Sequence, residues 1–211
     1  MAGCQKVYTA KDGEGALATI KDRHIDLLVT DVRMPGMDGI TLVRNLAELG
    51  TSIPSIVFVS GFGDVDAREM FGLGVEAFLA KPLPRGQLVQ VAEMALAEPS
   101  TLWLTPMDSP PRQSLDITVE KIGETEEDSI RLGRGGFSAR YSGPSALGKV
   151  AFKCHFSSKQ REMAGEGYVR WRSKNHDKVG IEFSFLDPNC RSWVLEEIAA
   201  NNPRSFIPSL L

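Results

Sequence analysis

Residues Asp26 to Gly39 read DLLVTDVRMPGMDG, an apolar run that delivers one carboxylate, Asp31, into a turn built from Pro35, Gly36 and Gly39. Leu27 to Val29 without a polar interruption is the pattern of a strand buried on both faces. Such strands occur almost only in parallel sheets covered by helices. Proline and glycine then end the strand, which places Asp31 at its carboxyl end, facing a loop.

The neighbouring segments repeat this plan. Lys6 to Ala10 (KVYTA) reads as a short strand, Asp12-Gly13 as a turn, and Ala16, Leu17 and Ile20 as one face of a helix. Ile25 to Thr30 is the second strand, and Ile40, Leu42, Val43 and Leu46 mark the next helix, which Gly50 stops. Ser55 to Val59 is a third strand ending at Ser60-Gly61, Val65 to Phe71 a helix, Glu76 to Leu79 a fourth strand ending at Lys81-Pro82, and Arg85 to Glu98 a last helix. Alternating strands and helices imply βαβ units and a parallel sheet, hence an α/β fold. Ligands of such sheets sit at the carboxyl ends of the strands. The polar residues at those ends are Asp31, Ser60 and Lys81.

These residues carry a resemblance. Asp31 to Gly39 (DVRMPGMDG), Ser60-Gly61, and Phe78 to Pro82 (FLAKP) closely resemble the receiver domain of bacterial two-component response regulators, three motifs in the right order on the right elements. The resemblance implies a flavodoxin-like receiver over residues 1–98. It implies that Asp31 accepts a phosphoryl group from a histidine kinase, that Ser60 hydrogen-bonds that group, that Lys81 pairs with its charge, and that Phe78 is the ring that moves in response. A phosphoryl group needs cations and hydrogen-bond donors around its oxygens, which an ammonium and a hydroxyl supply in part.

The resemblance also implies a first strand ending in an acidic pair that holds Mg2+, and a first helix. This chain shows neither, so Asp31 is one ligand of an incomplete metal site. The missing strand is normally central, and its loss leaves unpaired backbone and exposed apolar surface. It is supplied upstream, borrowed from a partner, or replaced by the Lys6–Ala10 strand shifting into the gap. Phosphorylation is expected to be weak.

Pro99, Pro106, Pro110 and Pro111, with Ser and Thr between them, give residues 99–114 the composition of an extended connector. Beyond it the rhythm changes to short strands at Leu115–Ile122, Ser129–Leu132, Gly136–Tyr141, Lys149–Phe156, Met163–Arg172 and Val179–Phe185, closed by a helix over Trp193–Ala200. That pattern argues a small antiparallel barrel or sandwich over 115–211. IRLGRGGF from Ile130, GEGYVRW from Gly165 and VGIEF from Val179 are similar to the PilZ domain, a barrel that commonly binds cyclic di-GMP. The resemblance implies a nucleotide site using Arg112, Arg131, Arg134 and Gly136, since arginines give bidentate phosphate contacts and stack on bases. It also shows departures. Asp116 stands where a second arginine of the binding pair belongs, and Arg131 and Gly133 replace two of three signature turn residues.

Other classes find little support. The net charge of −3 speaks against a chain-wide polyanion surface, and the absence of a helix-turn-helix or basic stripe speaks against DNA binding. Cys4, Cys154 and Cys190 are odd in number and unpatterned, which indicates neither a disulfide framework nor a zinc site and fits a reducing cytoplasm. His24, His155 and His176 lack metal-ligand spacing. No membrane span or signal peptide is expected. The sequence therefore reads as a cytoplasmic bacterial response regulator and phosphoprotein, not an enzyme, with a receiver input and a PilZ output that senses cyclic di-GMP. The rival readings are an adaptor whose ligand sites have decayed and whose barrel docks a motility or polysaccharide-export protein, and a plain cyclic di-GMP receptor whose receiver serves only for homodimerisation.

Overall fold

β1 (Leu27–Asp31), β2 (Ser55–Ser60) and β3 (Ala77–Ala80) form a three-stranded parallel sheet in the order β1-β2-β3. The computed structural model describes residues 5–49, 53–61, 73–120, 130–157, 159–173, 175, 177–201, 203 and 206–208. Cys4, Gly50, His176, the helix expected over Val65–Phe71 and the ends of two expected strands, beyond 120 and before 130, lie outside them. Two units divide the chain, the second beginning in the main at Glu98.

In the first unit the apolar spacing of the sequence becomes three helices: α1 (Gly13–Asp22), α2 (Gly39–Glu48) and α3 (Arg85–Leu96). α1 starts where Asp12 Oδ1 accepts from Gly15 N at 2.8 Å, and α2 where Asp38 Oδ1 accepts from Thr41 N at 2.8 Å. Both are N-caps that satisfy otherwise orphaned helix donors. β2 is buried at every residue, as a central parallel strand should be. Its Val57 and Val59 join Leu79 in a cluster on which Leu88 and Val91 of α3 pack. Leu42, Val43 and Leu46 of α2 are also buried.

The strand expected over Lys6–Ala10 does not form: these residues have no regular structure and are exposed. Among the described residues β1 pairs with β2 alone, so KVYTA has the composition of a strand but is not placed against the sheet. The last sheet strand runs from Ala77 rather than Glu76, whose buried carboxylate accepts from Ile56 N at 2.5 Å and so acts before the ladder begins.

The second unit is a curled six-stranded sheet: β4 (Ser114–Val119), β5 (Ile130–Leu132), β6 (Gly136–Arg140), β7 (Gly148–Phe156), β8 (Arg161–Arg172) and β9 (Lys178–Leu186), followed by α4 (Pro188–Asn201). Its order is β4-β7-β8-β9-β6-β5. The expectation of an antiparallel barrel needs correction on two points. β4 pairs with β7 in parallel, making the sheet mixed, and no pairing joins β4 to β5 among the described residues. The result is a half-barrel, closed over its core by other segments. Phe137, Phe152 and Phe183 pack at centroid distances of 5.1 to 5.8 Å, and Val194 and Ile198 of α4 join the same cluster.

Residues 99–114, expected as an extended connector, pack onto this sheet. Trp103 is 9% exposed and meets Phe183 edge-on at 5.1 Å. Arg191 Nη2 donates to the carbonyls of Ser100 and Leu102 at 2.6 and 2.8 Å, and Leu186 N donates to Trp103 O at 3.0 Å. A large indole cannot stay in solvent cheaply when an apolar sheet face is open beside it. Trp103 holds a left-handed backbone, φ 57°, which costs a bulky L-residue about 1–2 kcal/mol. Trp103→Ala is therefore expected to lower the stability of the second unit by roughly 3 kcal/mol or more, and Trp103→Gly, which relieves the strained φ, by no more than Trp103→Ala. Urea unfolding of the two variants measures both.

Candidate functional site

The parallel register sets three chemical groups along one edge. Asp31 closes β1 opposite Val59, Ser60 closes β2 opposite Ala80, and Lys81 follows β3 with its N–H donated to Ser60 O at 2.8 Å. The Lys81 ammonium reaches across and pairs with Asp31 Oδ2, while Asp31 Oδ1 accepts from Arg33 N at 3.2 Å. Burial pushes the Asp31 carboxyl up, but the Lys81 ammonium and the N–H groups of Arg33 and Val32 outweigh it, and the carboxyl lies below its ordinary value. The Asp31 side chain remains 31% exposed, open to a reactant from solvent. Ser60 is 1% exposed and its hydroxyl has no hydrogen-bond partner among the described residues. An unmatched buried hydroxyl costs about 1–3 kcal/mol. Phe78 lies on β3 opposite Phe58, and is partly buried.

The loop after Asp31 is held from several sides. Val32 N donates to Val59 O at 3.3 Å and Gly39 N to Val32 O at 3.0 Å. Gly36 takes φ +70°, and a Cβ at Gly39 would lie 2.2 Å from Asp31 O, so the two glycines are required by a left-handed turn and a close approach. Glu14 accepts from Met37 N at 3.2 Å through both oxygens, and Gly13 N donates to Met37 O at 3.2 Å. Glu14 was not legible as a site neighbour, because it sits far from the loop in sequence. The Asp38 cap could have been read from an Asp placed just before an apolar helical run. The N–H of Thr41 holds the Asp38 carboxyl below its usual range.

Magnesium takes near-octahedral oxygen ligands. Among the described residues no group of three or more His, Cys, Asp or Glu side chains converges to hold a metal ion. Both Asp31 oxygens are already engaged, one by a cation. The donor set present does not fit the ion.

In the second unit Arg131 lies on β5, and Arg134 and Gly136 belong to the turn and start of β6, where Gly133 N donates to Gly136 O at 2.8 Å. These three share one hairpin. Arg112 precedes β4, at the opposite end of the strand order. Asp116 on β4 pairs with His155 on β7 at 3.0 Å, and His155 also meets Glu162 on β8 at 3.1 Å. His155 is thus a cross-strand bridge, set by the sheet register. A Cβ on Gly136 would lie 2.1 Å from Ile181 O.

Residues 1–93 match the response regulator receiver domain family. The uncharacterized transcriptional regulatory protein YesN of Bacillus subtilis is 34% identical over 97 residues, 46% of this chain and 26% of that protein. The transcriptional regulatory protein FixJ of Rhizobium meliloti is 41% identical over 86 residues, 40% of this chain and 42% of its own length. The chain therefore spans less than half of either relative. The receiver domain of NtrX from Brucella abortus is 32% identical over 44% of this chain and 78% of that one, with a TM-score of 0.41. No described helix is long and apolar enough to cross a membrane.

Because Lys81 holds down the Asp31 carboxyl, Lys81→Ala should raise its titration midpoint toward the ordinary value of 3.8. Carboxyl carbon NMR across the acid range reads this directly. The linked stabilisation is present above the ordinary carboxylate pKa and is lost as pH falls through the lowered one. It should shrink in the variant.

Proposed function

We propose, on the premise that residues 1–93 are a response regulator receiver domain, that this chain is a response regulator of a two-component phosphorelay whose second unit is the output. The observation that carries it is the strand edge where the Lys81 ammonium pairs with Asp31, with the unpartnered Ser60 hydroxyl at the end of the strand between theirs. An Asp31 carboxylate oxygen bonds the phosphorus of a kinase phosphohistidine, the phosphorus–nitrogen bond breaks, and the imidazole leaves with the electron pair. Lys81 then transfers its contact from carboxylate to phosphoryl oxygens, and Ser60 Oγ donates to one of them. Phosphoryl transfer asks a protein mainly for positioning and charge stabilisation. Phe78, two residue pairs from the β2 end, is the ring that reads the change. In this family Mg2+ adds charge stabilisation when bound, and the described residues do not fit it. Transfer is accordingly slow.

Mass spectrometry after incubation with acetyl phosphate should place a phosphoryl group on Asp31, absent in Asp31→Asn and retained in Asp38→Asn. Lys81→Ala and Ser60→Ala should each slow labelling roughly tenfold, about 1.4 kcal/mol in the barrier.

The missing acidic set favours one other reading, an adaptor that signals without phosphotransfer. An unlabelled chain, with and without a histidine kinase as donor, selects it. For the second unit we infer a PilZ-like output with cyclic di-GMP as candidate ligand, supported by Arg131 and Arg134 on one hairpin. Calorimetry should show binding of the dinucleotide at micromolar concentration that is lost in the Arg131→Ala, Arg134→Ala double variant. Absence of heat assigns the unit to protein docking instead.

A further inference from the structure

The loop that follows Asp31 has two fixed ends and a middle held by another helix. At one end Val32 N donates to Val59 O, and at the other Asp38 caps α2. Between them residues 33–37 have no regular structure, and Arg33, Pro35 and Gly36 are exposed. Arg33 bears on the chemistry, because its N–H donates to Asp31 Oδ1. A short exposed stretch that contains a left-handed glycine, Gly36 at φ +70°, does not fix such an amide by itself.

The hold comes from the first turn of α1. Glu14 accepts from Met37 N through both carboxylate oxygens at 3.2 Å, and Gly13 N donates to Met37 O at 3.2 Å. Both backbone groups of one loop residue are thus pinned to successive helix residues. The contact suits the helix as well: Gly13 N is a first-turn donor without an intrahelical partner, and a carboxylate is favoured at a helix N-terminus. It also has no slack. A Cβ on Gly13 would lie 2.5 Å from Met37 O, and the Glu14 oxygens lie 3.2 and 3.4 Å from where a Cβ of Gly36 would be.

We propose that Glu14 is a positioning residue for the reaction at Asp31: by fixing Met37 it keeps the Arg33 amide on Asp31 Oδ1, so that the carboxylate meets a phosphoryl donor in one orientation. This role rests on the phosphotransfer reading given above, and it names a residue that serves the same site from outside it. Orientation is worth much here, since a displacement of about 1 Å in a reacting group can cost roughly a hundredfold in rate. Removing Glu14 has two conceivable effects on Asp31, and they differ in sign. Loss of a nearby negative charge would lower the titration midpoint of the carboxyl. Burial raises that carboxyl, and Lys81 together with the N–H groups of Arg33 and Val32 brings it below its ordinary value, so loss of the Arg33 donor would raise the midpoint.

Three variants of the full chain distinguish these effects. Glu14→Ala removes the acceptor. Glu14→Gln removes the charge and keeps an oxygen for Met37 N. Gly13→Ala leaves Glu14 in place and pushes the helix turn off Met37. Carboxyl carbon NMR of Asp31 and the rate of its labelling by acetyl phosphate are the readouts, with circular dichroism as the check on folding. Glu14→Ala and Gly13→Ala should each raise the Asp31 midpoint and slow labelling about tenfold, and Glu14→Gln should restore most of both. Lys21→Ala, in the last turn of the same helix, should change neither. An unmoved midpoint in Glu14→Ala overturns the proposal even where the variant is less stable, because a merely structural residue acts on stability alone. So does a Glu14→Gln variant that behaves like Glu14→Ala, which assigns the effect to charge. Absence of label in the wild type overturns the phosphotransfer reading and this role with it, whereas normal wild-type labelling that none of the three variants slows overturns this role alone.

Discussion

Parallel pairing of three strands in one register is what the candidate site depends on. Asp31, Ser60 and Lys81 are separated by tens of residues, and each is an ordinary residue in its own segment. The ladder sets them along one strand edge, where Lys81 reaches Asp31. A slip of one residue in β1 would turn Asp31 to the opposite face of the sheet. Register is protected by the buried Val32, whose N–H continues the ladder to Val59 O, and by Gly39, whose lack of a side chain lets α2 start against Asp31 O.

The Lys81–Asp31 ion pair defines the resting state of that edge. It is partly exposed, so its contribution to stability is small and screened. Its value lies in positioning a cation where new negative charge would appear. Phosphorylation of Asp31 would not require Lys81 to be brought in from water, only to change oxygens. Ser60 adds to this in the opposite way: its hydroxyl is unsatisfied at rest, and a phosphoryl oxygen within reach would recover the roughly 1–3 kcal/mol that an unmade buried hydrogen bond costs. On the proposed phosphotransfer reading, both terms would favour the phosphorylated form relative to an edge with neither residue, and neither would supply the charge of a divalent ion.

Much of this was legible because the first unit obeys simple periodicities. The run from Ser55 to Ser60 and the spacing of Leu42, Val43 and Leu46 follow from burial alone, whereas the apolar run into Asp31 forms its strand with Val29 42% exposed rather than buried on both faces. Lys6–Ala10 failed as a strand for a reason no local pattern carries: strand propensity expresses itself only where a segment is packed against a sheet, and these residues stay exposed. The parallel pairing of β4 with β7 was hidden for a related cause. Alternating burial fixes which face a strand presents, and says nothing of its direction or of the neighbour it chooses. Residues 99–114 looked like a connector because prolines dominate their composition. One tryptophan decided otherwise, since burying Trp103 against Phe183 anchors the whole stretch.

The second unit shows how a fold signal and a ligand signal separate. Gly136 contributes to the PilZ resemblance, yet its place is explained by packing alone: any side chain there would collide with Ile181 O on β9. A half-barrel that never met a nucleotide would need the same glycine. Asp116 pairs with His155, which also meets Glu162 across the strands. The strand rhythm and the glycine that make the resemblance visible are therefore explained by the fold and are neutral toward any ligand.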